Sequence, residues 1–134
     1  MGELKQGACH CGAVRFEADV DLGSARRCDC SLCRMRGAVA VSAPLDRFTI
    51  LAGGDALRLY QFNTGTARHY FCGNCGIYTH HQRRSNPTQL GVNVACLDGM
   101  SPFDFDEVEV LNGRAHPADT GADKRSGVLR YTAD

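Results

Sequence analysis

The chain has 134 residues, with 15 Lys and Arg balancing 15 Asp and Glu for a formal net charge of zero. That length suits a single domain over residues 1–134, and the charge balance argues against a nucleic-acid binder, which carries a basic excess. The opening stretch MGELKQGACH has no apolar leader core, and GVNVACL falls far short of the about 20 residues a membrane helix needs, so a cytoplasmic protein off the membrane is expected.

Taken in chain order, the pattern is mainly β. AVRFEADV alternates from Ala13 to Val20 and predicts a strand. One or two helical turns are predicted after Ser31, the only helix expected. GAVAVSA, RFTILAG and ALRLYQF predict further strands, broken by Pro44 and by Gly53-Gly54. ARHYFC leads into a C-x-x-C-G turn and GIYTHHQ leads out of it. QLGVNVACL is the most strand-like run, and it places Cys96 inside a strand. FDEVEVLNGRAHP alternates into Asn112-Gly113, a type I′ hairpin signal. The segment ADTGADKRSG is expected to be a loop.

Eight cysteines are many for this length, and seven fall in tight groups: Cys9 with Cys11, Cys28 with Cys30 and Cys33, and Cys72 with Cys75. Sulfurs two or three residues apart converge on one ion at about 2.3 Å, whereas disulfides join more distant segments. CHCG and CGNCG each supply two thiolates, and together they make one four-cysteine site if the fold unites them. Such a site closes a long stretch of chain, and its binding energy is folding energy. His10, between two of these ligands, is expected to point outward. Cys96 is expected to be a buried small hydrophobe.

The triplet Cys28, Cys30 and Cys33 then lacks a fourth ligand. Three outcomes are open: an exchangeable fourth position as in catalytic zinc sites, closure by Asp29, His69, His80 or His81, or a thiol redox site without metal. Spacing alone does not separate them. Alternation along C-x-C turns Asp29 away from its flanking ligands, and the three histidines flank the CGNCG knuckle.

GACHCGAVRFE, CDCSLCRMRGA and HYFCGNCGIYTHH, in that order, resemble the glutathione-dependent formaldehyde-activating enzyme family, to which centromere protein V is related. The resemblance covers roughly Gly7 to Leu97. It implies several coiled antiparallel β-sheets stapled by zinc and related to methionine sulfoxide reductase folds, and up to two zinc ions. Cys9, Cys11, Cys72 and Cys75 would hold a structural zinc. Cys28, Cys30 and Cys33 would hold a catalytic one, with glutathione sulfur as its exchangeable ligand. The implied reaction joins formaldehyde and glutathione into S-(hydroxymethyl)glutathione, formally a carbon–sulfur lyase in reverse. Asp29 stands where the family commonly has histidine, which leaves the electrophile open.

Thiol chemistry suits such a site. A free thiol has a pKa of about 8.5, and a metal favours its thiolate. Glutathione carries two carboxylates, and Arg27, Arg34 and Arg36 flank the triplet, with Arg83 and Arg84 in the loop after the second knuckle. His69 and His80 are candidates for proton transfer. The competing readings are a non-catalytic zinc-stapled module or glutathione carrier, and a methionine sulfoxide reductase relative. The last expects two C-x-x-C pairs, where this chain has one C-x-C and one C-x-x-C.

Overall fold

The computed structural model describes residues 2–84, 86–114 and 124–134. Ten strands and one short helix follow in order: β1 (Glu3–Ala8), β2 (Arg15–Cys28), α1 (Ser31–Arg36), β3 (Ala40–Pro44), β4 (Phe48–Ala52), β5 (Leu57–Tyr60), β6 (Arg68–Cys72), β7 (Tyr78–Gln82), β8 (Gln89–Asn93), β9 (Glu107–Leu111) and β10 (Arg125–Arg130). The sheet runs β10-β9-β2-β3-β8-β7-β6-β5, with β1 and β4 also paired to β2. The pairings are antiparallel except β2 with β9, which run parallel over Arg26–Cys28 and Glu109–Leu111. No helix among the described residues is long and apolar enough to cross a membrane.

β2 organises the molecule because it pairs twice. Over Arg15–Val20 it alternates, burying Phe16, Ala18 and Val20 between β1 and β4. The Asp21–Ser24 stretch then interrupts the ladder: Asp21 Oδ1 accepts from Gly23 N at 3.0 Å, and Ser24 Oγ accepts from Ser42 N at 2.8 Å. This irregularity re-aims the second half of β2 to pair with β3 and β9. The core lies beneath β2, β3 and β8, where Phe16, Val20, Val41, Val92, Val94 and Leu97 are fully buried. Burying each such side chain contributes roughly 1.5–3 kcal/mol.

Three expectations change. The strand through GVNVACL ends at Asn93; Val94–Cys96 form a 3-10 turn capped by the Asn93 side chain, so Cys96 is buried in a turn, its thiol donating to Tyr78 O at 3.4 Å. Asn112-Gly113 is not a two-residue hairpin turn. Asn112 N donates to Lys124 O, so the β9–β10 connection is long, because the Gly113 and Arg114 amides turn instead toward Asp29. Of ADTGADKRSG, Arg125–Gly127 lie in β10, while residues 118–123 lie outside the described residues.

Candidate metal centre and thiol-facing cavity

The two outer cysteine pairs sit on matching knuckles. Cys9 and Cys11 follow β1, and Gly12 (φ 80°) donates its N–H to Cys9 O at 3.1 Å. Cys72 ends β6, and Gly76 (φ 78°) donates to Cys72 O at 2.7 Å. A left-handed residue is needed at both turns, which glycine supplies without strain. The fold unites the pairs: the four sulfurs lie within 4.8 Å of one another, with Cys9–Cys11 at 3.6 Å and Cys11–Cys72 at 3.8 Å. Those distances exclude a disulfide and match the edge of about 3.8 Å of a tetrahedron with metal–sulfur bonds of about 2.3 Å. Backbone N–H groups of Val14 and Asn74 point at Cys9 and Cys72 Sγ, each at 3.3 Å, and those of Cys11 and Ile77 draw the Cys75 thiol down to about 6. Each contact favours thiolate, so the donor set fits a metal ion. His10, expected to point outward from between its two neighbours, is exposed.

The second cluster forms where β2 runs into α1. Cys28 ends the strand; Cys30 caps the helix, its sulfur accepting from Cys33 N at 3.3 Å, while Cys28 Sγ accepts from Cys30 N at 3.4 Å. The three sulfurs lie within 4.8 Å of one another. Hydrogen bonds from Cys28 and then Cys33 pull the Cys30 thiol down to about 2, and the same crowding pushes Cys28 up. Three sulfurs that compete to share one negative charge call for a cation.

No fourth protein donor joins them among the described residues. Asp29 turns away and accepts from Gly113 N at 2.7 Å, Arg114 N at 3.1 Å and Ser126 Oγ at 2.8 Å. These contacts outweigh desolvation and hold its carboxyl below the usual range. His69 Nδ1 faces Arg36 Nη1 at 3.2 Å; since a guanidinium only donates, that nitrogen accepts. His80 Nδ1 lies 2.9 Å from Thr79 Oγ1, and His81 Nδ1 2.6 Å from the Tyr78 hydroxyl. Burial pushes His69 and His80 down to about 4, Arg36 adding to the effect at His69, and burial with nearby guanidiniums holds His81 well below the usual imidazole range. All three are neutral at pH 7.

The triplet opens onto a cavity of about 1010 Å³. Eight of its 24 described lining residues are Arg or Lys and none is Asp or Glu, so the zero net charge of the chain hides a strongly cationic hollow. Arg27, Arg34 and Arg36 all line it. Arg36 is already engaged: it donates to Cys33 Sγ at 3.4 Å and stacks 3.6 Å above the Tyr78 ring. Sequence reasoning passed over three contributors. Arg26 shares a strand face with Cys28, and the i, i+2 rule was the available signal. Gly113 presses on the triplet: a Cβ there would stand 2.5 Å from Cys28 Sγ and 2.6 Å from Cys30 Cβ. Tyr78 supplies the ring beneath Arg36.

The fold and site thus define a small β domain with two cysteine clusters that could each hold a metal ion, one of four sulfurs and one of three facing a cationic cavity. The chain belongs to the glutathione-dependent formaldehyde-activating enzyme family, whose pattern matches residues 4–110. A Halomonas elongata protein, carrying the name of a candidate glutathione-dependent formaldehyde-activating enzyme, is 33% identical over 81 residues. The match covers 54% of this chain and 52% of that protein, so the chain spans about half the length of that curated relative. A crystal structure of a Rhodobacter sphaeroides protein is similar, with a TM-score of 0.76 and 56% identity over 78% of this chain and 98% of that one.

Proposed function

We propose that this protein is a zinc-dependent carbon–sulfur bond-forming enzyme that adds glutathione to a small aldehyde such as formaldehyde. The observation that carries the reading is the triplet: three grouped sulfurs lining a cationic cavity, with Asp29 bonded to Gly113, Arg114 and Ser126 and the Nδ1 atoms of His69, His80 and His81 engaged by other partners. In this reading Cys9, Cys11, Cys72 and Cys75 hold a structural zinc, and Cys28, Cys30 and Cys33 hold a second. When bound by three thiolates, Zn²⁺ supplies an exchangeable fourth position that favours the thiolate of an incoming thiol, without redox chemistry.

The chain's own residues do the rest. Arg27 and Arg34 on the rim draw in the carboxylates of the thiol. Arg36, fixed between the Cys33 sulfur, His69 and Tyr78, offsets negative charge on the cluster. His69 lines the cavity with Nδ1 occupied as an acceptor, so its proton sits on Nε2, a donor suited to the aldehyde oxygen. The thiol sulfur bonds to the carbonyl carbon, the carbon–oxygen π pair moves to oxygen, and the proton given up by the thiol returns to that oxygen through solvent. Atoms and electrons balance with no further reactant. Family membership and the name of the Halomonas relative support the substrate pair. Exchange NMR tests the reading: catalytic amounts of zinc-loaded protein should speed interconversion of glutathione and S-(hydroxymethyl)glutathione, and Cys30→Ser should abolish the effect. Glutathione binding without faster exchange would make the protein a carrier.

A further inference from the structure

Two arginines outside the triplet's flanking set share an arrangement that the chemistry above leaves unused. Arg26 is 8% exposed, and its Nη1 donates to Ser24 O at 3.2 Å and Ser42 Oγ at 3.0 Å. Arg83 comes from the far side, after β7, and its Nη1 donates to the same Ser42 Oγ at 3.3 Å and to Gln89 Oε1 at 3.2 Å. One hydroxyl thus holds two guanidiniums together, and every partner named is neutral. The ion pairs among the described residues use neither arginine. Both line the cavity over the triplet. Their remaining N–H groups are not sealed in, because the only enclosed, unpartnered side-chain nitrogen or oxygen among the described residues is Arg36 Nε.

Two cations pinned side by side in a partly dry wall repel each other, and burial adds a desolvation cost that no carboxylate of the described chain offsets. An external carboxylate answers both penalties, since paired guanidinium forks match its two oxygens. Position fits as well. Arg26 and Cys28 stand two residues apart on one strand and both line the cavity, so their backbones lie about 6.6 Å apart along β2.

We propose that Arg26 and Arg83, clamped by Ser42, form a carboxylate subsite that selects acidic thiols over neutral ones. The proposal rests on the reading that a thiol reaches the triplet. It assigns to this pair a part of the recognition that the rim arginines would otherwise carry alone.

The test uses cobalt-substituted protein and the thiolate charge-transfer band as readout. Three thiols are titrated: 3-mercaptopropionate, its methyl ester, which differs only in the masked carboxylate, and glutathione. Wild type should bind 3-mercaptopropionate on the order of tenfold more tightly than the ester. Arg83→Gln should erase that preference and weaken glutathione by a similar factor, while leaving the ester unchanged. Arg26→Gln should do the same, and if that buried change prevents folding, Arg83→Gln and the wild-type comparison still decide. Equal affinities for acid and ester, or an Arg83→Gln variant that keeps the preference, overturn the subsite while leaving the open metal position intact. A band that no thiol perturbs overturns both.

Discussion

Replacing Gly113 with alanine inserts a methyl group into the contact between the β9–β10 connection and the cysteine triplet. The new Cβ would lie 2.5 Å from Cys28 Sγ, 2.6 Å from Cys30 Cβ and 2.9 Å from Cys30 N. Ordinary contact begins near 3.4 Å, so the sulfur or the connection must retreat by about 0.9 Å. Metal–ligand distances in a well-formed site stay within about 0.2 Å of their standard values. The loop is not free to give way, because Asp29 grips the Gly113 and Arg114 amides. The backbone of Gly113 does not require glycine's left-handed freedom, so the whole effect is steric. Strain of this kind costs about 1–3 kcal/mol, which at this size lowers Tm by on the order of 5–10 °C. Metal analysis of Gly113→Ala should therefore find the four-cysteine site loaded and the triplet depleted, in a folded protein. A variant that keeps both metals at wild-type affinity and wild-type Tm would refute the idea that this connection presses on the triplet.

Cys72→Ser breaks a site that joins two distant turns, so it should leave the chain largely unfolded at 37 °C by circular dichroism, whereas Cys30→Ser should stay folded and lose only the second metal. Equal unfolding by both would make the triplet structural as well. The buried histidines set the acid limit. Held near 4 when folded but near 6.5 when unfolded, His80 takes up a proton only in the unfolded state between those values, so stability falls as pH falls through that window. Between pH 6.5 and 5 the wild type should lose about 1.6 kcal/mol more than His80→Phe, which keeps a ring stacked on Tyr70 and tilted against Phe48. Urea denaturation with saturating zinc measures this; parallel losses in the two proteins would count against a neutral buried His80.

Much of the site was readable because it is local. C-x-C and C-x-x-C-G force sulfurs together within one turn, and the order of the three motifs carried the family. The short helix after Ser31 and most strands followed from alternation and from Pro and Gly punctuation. What escaped depended on distant chain. β1 was not expected because Glu3–Ala8 is mostly exposed and alternates weakly; it is a strand because β2 offers it an edge. The second half of β2 reads as GSARRC, with no apolar rhythm, and owes its form to β3 and β9. Asn112-Gly113 gave a sound local hairpin signal that the Asp29 carboxylate overrode. The Arg26–Ser42–Arg83 clamp joins three segments that only the sheet brings together.

The most direct test of the account is X-ray absorption at the zinc edge, on protein holding two zinc ions, before and after glutathione. One site of four sulfurs and one of three average about 3.5 sulfur ligands per zinc, and a thiol in the open position raises this to about 4. That rise in wild type, and its absence in Cys30→Ser, is the predicted result. An average that already stands at 4, or one that stays near 3.5 with saturating glutathione, would contradict the claim that the triplet awaits an external thiol.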